Sequence, residues 1–292
     1  MLALKNNIER LSNHFTDDFC EPFATRIFFR SLVLYTLLKV SLTWPLSRMI
    51  AVHHTISFPR SLAAKILVGP AYLYSQTPDI FYASVICLLV AIIILDPSYL
   101  TNTVFFWLAL NLYIINLPIT NGSDIVLFML AIWCIPLSRR PVFKEPYPKV
   151  LQITAHNLAL ICCQLQVVFI YLGSGIDKLL SEVWRSGEAF EYIRHLEVLY
   201  NPVLPSFFAN DLWNPILSWA TILFELLLVA LVWTKKFRIP ALITGMIFHL
   251  FIWIVLSLPD FALMMMISLM IFMKDSDYDA MKKWIRRLLP LK

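Results

Sequence analysis

The run from His156 to Gly187 constrains this chain more than any other. It begins as an apolar helix long enough to cross a bilayer, yet Asn157, Gln164, Tyr171 and Lys178 recur every seven residues and share one slowly drifting face. Such a stripe is costly against lipid, so it should face a bundle interior or a wet cavity where amides, a phenol and an ammonium find partners. Gly173, Ser174 and Gly175 lie just before Lys178 and let another backbone or a ligand come close to the charge.

The rest of the chain supports a membrane setting. Hydrophobic residues make up 59% of the 292 and charged ones 15%. Mean hydropathy is +0.72, far too apolar for an ordinary soluble domain. The fold class expected is all-α, a polytopic transmembrane bundle of about eight spans with interfacial helices. Binding or catalysis must then be built from the bundle and its loops. The net charge of +5 comes from Lys and Arg clusters at span ends, which read as topology signals and not as a nucleic-acid surface. Cys20, Cys87, Cys134, Cys162 and Cys163 lie mostly in apolar runs without a CxxC, so they read as small core residues. No metal site is expected, because the adjacent His53 and His54 would point to different faces of a helix.

Three divisions follow along the chain. Residues 1–23 form an N-terminal cytoplasmic or interfacial segment, too polar for a cleavable signal; 24–273 form the transmembrane domain; 274–292 form a basic tail. Spans are expected at about 24–44, 78–95, 102–119 and 124–138, then the central stretch, then about 213–233, 239–258 and 260–273. An interfacial or re-entrant helix is expected around Ala63–Tyr74, and turns at Asp96–Ser98 and Asn121–Ser123. The clusters Arg139–Lys149, Lys235–Arg238 and Lys282–Arg287 fall on one side by the positive-inside rule. Both termini are then cytoplasmic in a cell-membrane protein, and Lys178 lies toward the outer face. Arg48, Arg60 and Lys65 fall outside in this arrangement and leave room for a further half-span.

Two ionisable residues sit deep inside expected spans. Glu225 and His249 lie on either side of the Lys235–Arg238 turn, each roughly 16–19 Å from it at helical rise, so a hairpin brings them to one depth. Such groups are costly near mid-membrane unless paired, neutral or hydrated, and mark a functional site by default. The structural alternative is that they bond each other and nearby hydroxyls to lock the bundle. Lys178 could instead snorkel to the interface, and Asn157 and Gln164 could simply bond neighbouring helices. Counting turns puts Lys178 nearer the outside than Glu225 and His249, with no direct contact expected.

The run from Ile170 to Gly187 resembles the signature of the vitamin K-dependent γ-carboxylase-like membrane domain, the horizontally transferred transmembrane (HTTM) family. An aromatic residue, a small-Gly step, Lys-Leu and Trp-x-x-Gly match Tyr171, Ser174, Gly175, Lys178, Leu179, Trp184 and Gly187. The turn Asn121–Asp124, Glu225 in its span, and Gly245 to His249 are similar to further family motifs, over about residues 24–273. The resemblance implies that Lys178 is the base that deprotonates a reduced quinone cofactor, in an apolar pocket favouring its neutral form. Glu225 and His249 are its catalytic supports. Tyr171, Ser174, Gly175, Trp184, Gly187, Asn121 and Asp124 then belong to the substrate or lipid pocket, and Asn157 and Gln164 join them as members of the polar stripe.

Asp177 stands where the carboxylase has a second lysine, and no large lumenal region is expected after Met273. Both features are closer to the short stand-alone bacterial members, of the sporulation-delaying protein B kind, which serve the maturation of a secreted peptide toxin. The implied partners are the lipid bilayer, an exported peptide and a membrane partner protein, with no nucleic acid. Two rival classes stay open: a non-catalytic membrane factor that escorts a peptide, and a transporter using Glu225 and His249 as a proton relay.

Overall fold

The computed structural model describes residues 16–46, 61–137, 146–196 and 212–288, and every regular element among them is helical. The surface helix expected before residue 16, the pair His53 and His54, the basic residues Arg139, Arg140 and Lys144, and the loop at 197–211 lie outside the described residues. In chain order the helices are α1 (Pro22–Thr43), α2 (Leu62–Gln76), α3 (Pro78–Ile94), α4 (Tyr99–Asn116), α5 (Gly122–Cys134) and α6 (Pro146–Leu180). The remainder are α7 (Glu182–Ser186), α8 (Ala189–Arg194), α9 (Trp213–Leu231), α10 (Arg238–Leu256), α11 (Pro259–Leu269) and α12 (Asp275–Leu288).

All eight expected segments are helices, but they differ as membrane elements. Four are long and apolar enough to cross a bilayer: Pro22–Leu46, Lys149–Leu180, Trp213–Leu231 and Arg238–Leu256. Pro78–Ile94, Gly122–Cys134 and Pro259–Phe272 are apolar but shorter, and Tyr99–Asn116 falls in neither group. The chain divides into two compact units, residues 1–163 with 273–292, and residues 164–272.

In the first unit α1 packs on α3, α2 on α3 and α4, and α4 on α5. Phe28, Phe29, Leu32, Tyr74, Tyr82, Phe105 and Leu130 are buried at its centre. Local sequence sets the helix starts. Pro78 opens α3, where its missing N–H is harmless. Ser98 and Thr101 form a capping box on α4, and Asn121 and Asp124 form one on α5, so both expected turns act as caps. Pro70 sits inside α2 and cannot donate to the carbonyl of Ile66. Trp107 Nε1 of α4 donates to that carbonyl at 3.0 Å, and Asn111 takes the Ala71 amide at 3.1 Å and donates to Leu67 O at 3.1 Å. Two side chains of α4 thus mend the break that proline makes.

In the second unit the last seventeen residues of α6 are followed by the short α7 and α8, which pack on α9, and by α10, which packs on α11. Gly245 allows that last contact, since a Cβ there would lie 2.5 Å from Leu269 Cδ1. Arg238 is buried rather than left at a span end, and donates to the carbonyl of Phe272 at 2.6 Å. That carbonyl ends the 3₁₀ turn Met270–Phe272, where helical partners run out.

Candidate functional site

Within the second unit Tyr171, Ser174 and Lys178 occupy positions i, i+3 and i+7 of α6 and so project from one face. Lys178 donates to both carboxylate oxygens of Glu225 at 2.9 Å and also to the Ser174 hydroxyl. Ser174 in turn donates to Glu225 at 3.2 Å. The Glu225 side chain is 8% exposed, whereas that of Lys178 keeps 19%. Next to this cluster the Tyr171 hydroxyl and His249 Nε2 meet at 2.6 Å, both residues being buried.

One expectation changes here. Lys178 touches Glu225 directly, because helical side chains lean toward the N-terminus and a lysine stem reaches back about one turn. Counting Cα depth alone missed that reach. Of the structural alternative only the nearby hydroxyls appear: Glu225 takes Lys178 and Ser174 and His249 takes Tyr171, all from α6, and the two do not bond each other.

A cavity of about 200 Å³ opens beside these pairs. Its polar wall is Tyr171, Ser174, Lys178, Glu225, His249 and Thr221; the rest is apolar, chiefly Phe190, Phe248, Phe251, Phe261 and Met265. Trp184 forms part of the same wall, with its ring 5.2 Å from Lys178 Nζ, so the ammonium has an aromatic face as well as a carboxylate. The glycines set how close the walls stand. A Cβ on Gly175 would lie 2.9 Å from Leu226 Cδ2 and 3.3 Å from Glu225 Cβ, so α6 and α9 touch there. Gly187 ends α7 at φ 87°, and a Cβ on it would lie 2.6 Å from Pro215 Cα.

No family model, curated protein or solved structure matches the chain. The site is therefore read from its own residues.

The remaining candidates lie elsewhere. Gln164 donates to the carbonyl of Ile271 at 3.2 Å, a helix-to-helix bond. Asn157 belongs to the first unit, where it accepts from the Cys20 amide at 2.8 Å and donates to Asp18 O at 2.9 Å, pinning the segment before α1. Asn121 and Asp124, also in the first unit, cap α5; Asp124 pairs with Lys39 at 2.7 Å. Sequence reasoning overlooked Lys39, although a lysine inside an apolar span asks for an acid, and Asp124 was at hand. It also overlooked the phenylalanines of the cavity, which no pattern separates from lipid-facing ones.

Chemically, the cavity offers a carboxylate, an ammonium, a phenol and an imidazole along one side and aromatic surface on the others. That suits a flat, mostly apolar molecule with an oxygen at its edge. The paired acid and base groups could take or give a proton at that oxygen.

Proposed function

We propose that the chain is an integral cell-membrane protein of the γ-carboxylase-like, HTTM type, with eight crossings and both termini cytoplasmic, whose cavity takes a lipid-borne reduced quinone. The observation that carries this reading is the pairing of Lys178 with both oxygens of Glu225 on the wall of an aromatic cavity. A quinol ring would lie among Trp184, Phe190 and Phe248 with a hydroxyl toward the pair. In the proton-transfer step the quinol O–H breaks, the proton passes to a Glu225 oxygen, and the phenolate stays beside the Lys178 ammonium. Nothing is oxidised or reduced in that step. Glu225 is thus the base and Lys178 the holder of the anion, the reverse of the roles that the resemblance implies. By the same resemblance, the deprotonated quinol serves the maturation of an exported peptide handed over by a membrane partner.

The test is direct. Protein purified in mild detergent is extracted with organic solvent and the extract analysed for quinones by mass spectrometry; binding of an added quinol is then titrated. Wild type should retain and bind quinol, and Glu225→Gln and Lys178→Met should lose it while keeping their helical content. A wild-type protein that neither carries nor binds a quinol sinks the proposal. A proton-coupled carrier is the second reading, favoured by the Tyr171–His249 pair standing next to Lys178 and Glu225. Proton flux in proteoliposomes that depends on Glu225, without quinol binding, would select it.

A further inference from the structure

Helix α12 has a face that no described residue of its own unit covers. Met281, Trp284, Ile285 and Leu288 fall at i, i+3, i+4 and i+7, an arc of about 100° on a helical wheel. They are 43–61% exposed. Lys282, Lys283, Arg286 and Arg287 fill the flanks and the opposite side, all of them exposed. A row of apolar side chains with Lys282 and Arg287 on its borders and Lys283 and Arg286 behind it is the pattern of a helix lying in a bilayer interface, where stems sink and charged heads reach phosphate.

The structure also says where this helix sits. Asp275, its first residue, accepts from the amides of Phe23 and Ala24 at 3.2 and 2.7 Å, and its own amide donates to Glu21 at 2.6 Å. Tyr278 packs edge-on against Phe23 at 5.4 Å, and Lys282 Nζ lies 4.2 Å from the centre of the same ring. Phe23 is the second residue of α1, which belongs to the membrane-length segment Pro22–Leu46. The start of α12 is therefore fixed to the first turn of a helix long and apolar enough to cross a bilayer.

We infer that α12 is an anionic-lipid binding surface: Met281, Trp284, Ile285 and Leu288 enter the interface, Lys282 and Arg287 at the borders of that row reach the phosphate groups of acidic phospholipids, and Lys283 and Arg286 behind it add to the positive potential that draws them. The complementarity of four cations to anionic headgroups, together with attachment to a membrane-length helix, selects a membrane over a protein partner. This holds whatever occupies the cavity of the second unit.

The experiment uses the full-length protein in nanodiscs of phosphatidylcholine alone or with about 30% phosphatidylglycerol, reading amide hydrogen exchange over 279–288. In the mixed lipid, exchange there should slow by about tenfold or more relative to phosphatidylcholine. The variant Lys282→Gln, Lys283→Gln, Arg286→Gln, Arg287→Gln should lose that difference, and peptides from α10 and α11 should exchange alike in both proteins. Equal protection in the two lipids overturns recognition of the anionic headgroup. Free exchange in both overturns the membrane surface itself and leaves the face to a protein. The comparison between lipids on the unaltered protein decides the matter even if the variant folds poorly.

Discussion

Lys178 Nζ stands 2.9 Å from each carboxylate oxygen of Glu225, a lysine answering both oxygens of a buried acid with one ammonium. The partners are not equally committed. Lys178 keeps 19% of its side chain exposed and Glu225 only 8%. Lysine freed of its acid can swing toward the rim; glutamate freed of its lysine stays inside with Ser174 alone. Lys178→Met should therefore destabilise by about 2–4 kcal/mol and Glu225→Gln by clearly less, while the double apolar variant recovers much of the loss. Unfolding in mixed micelles with increasing denaturing detergent reads all three, and equal losses for the two single variants would contradict this account.

Tyr171 and His249 form the neighbouring pair at 2.6 Å, and His249 Nδ1 has no other hydrogen-bond partner among the described residues. Tyr171→Phe keeps the ring and its packing on Phe224 but leaves the buried imidazole unsatisfied at both nitrogens. The expected cost is about 1–3 kcal/mol. Removing both polar partners, as in Tyr171→Phe with His249→Phe, should cost less than the sum of the singles. A double-mutant cycle on the same unfolding assay checks this, and strict additivity would show that the hydrogen bond contributes nothing.

Helix positions were largely legible because their ends carry chemical marks: Pro78, Ser98, Asn121 and Pro259 each open a helix close to where the sequence placed one. The start of α6 was not. Pro146 and Pro148 lie before the central stretch that begins at His156, yet proline is harmless in a first helical turn, and the helix begins there. The cluster was legible as a set, since Tyr171, Ser174, Lys178, Glu225 and His249 all line one cavity. Which residue pairs with which was not, because pairing depends on side-chain lean and on partners from other helices. For the same reason Asn157 and Asp124 resembled site residues: an amide or an acid on an apolar helix looks alike in sequence whether it caps, pins or binds.

Gly187 offers a test of local geometry near the cavity. Its φ of 87° is left-handed and a Cβ would meet Pro215 Cα at 2.6 Å, backbone that cannot swing aside. Gly187→Ala should cost about 1–2 kcal/mol for the conformation, and more for the collision, shifting Trp184 from its place beside Lys178. Gly173 is the control: with nothing within 4 Å of a Cβ, Gly173→Ala should be neutral or stabilise α6 by up to about 1 kcal/mol. Melting temperature and tryptophan emission separate the two. A neutral Gly187→Ala would mean that α7 does not pack on α9 as described.

Asp275 and Glu21 cap each other's helices across a long stretch of sequence. Glu21 gives α1 no side-chain cap of its own, and Asp275 supplies the acceptor for Phe23 and Ala24. Asp275→Ala should cost about 1 kcal/mol and raise amide exchange at both residues, whereas Asp275→Asn, which keeps an acceptor, should lose less. Glu21→Ala should free the Asp275 amide in the same way. One turn on, burial pushes the Tyr278 phenol above its usual range, and the charges of Asp277 and then Asp275 push it further. A phenol that is harder to ionise when folded keeps its full contribution below the unfolded value of about 10, and loses it as pH climbs past that point because the unfolded chain ionises first. Alkaline titration should therefore loosen α12 from Phe23 before the helices of the second unit respond, with exchange at 275–280 as the readout. Tyr278→Phe should abolish that alkaline step while leaving the capping bonds intact.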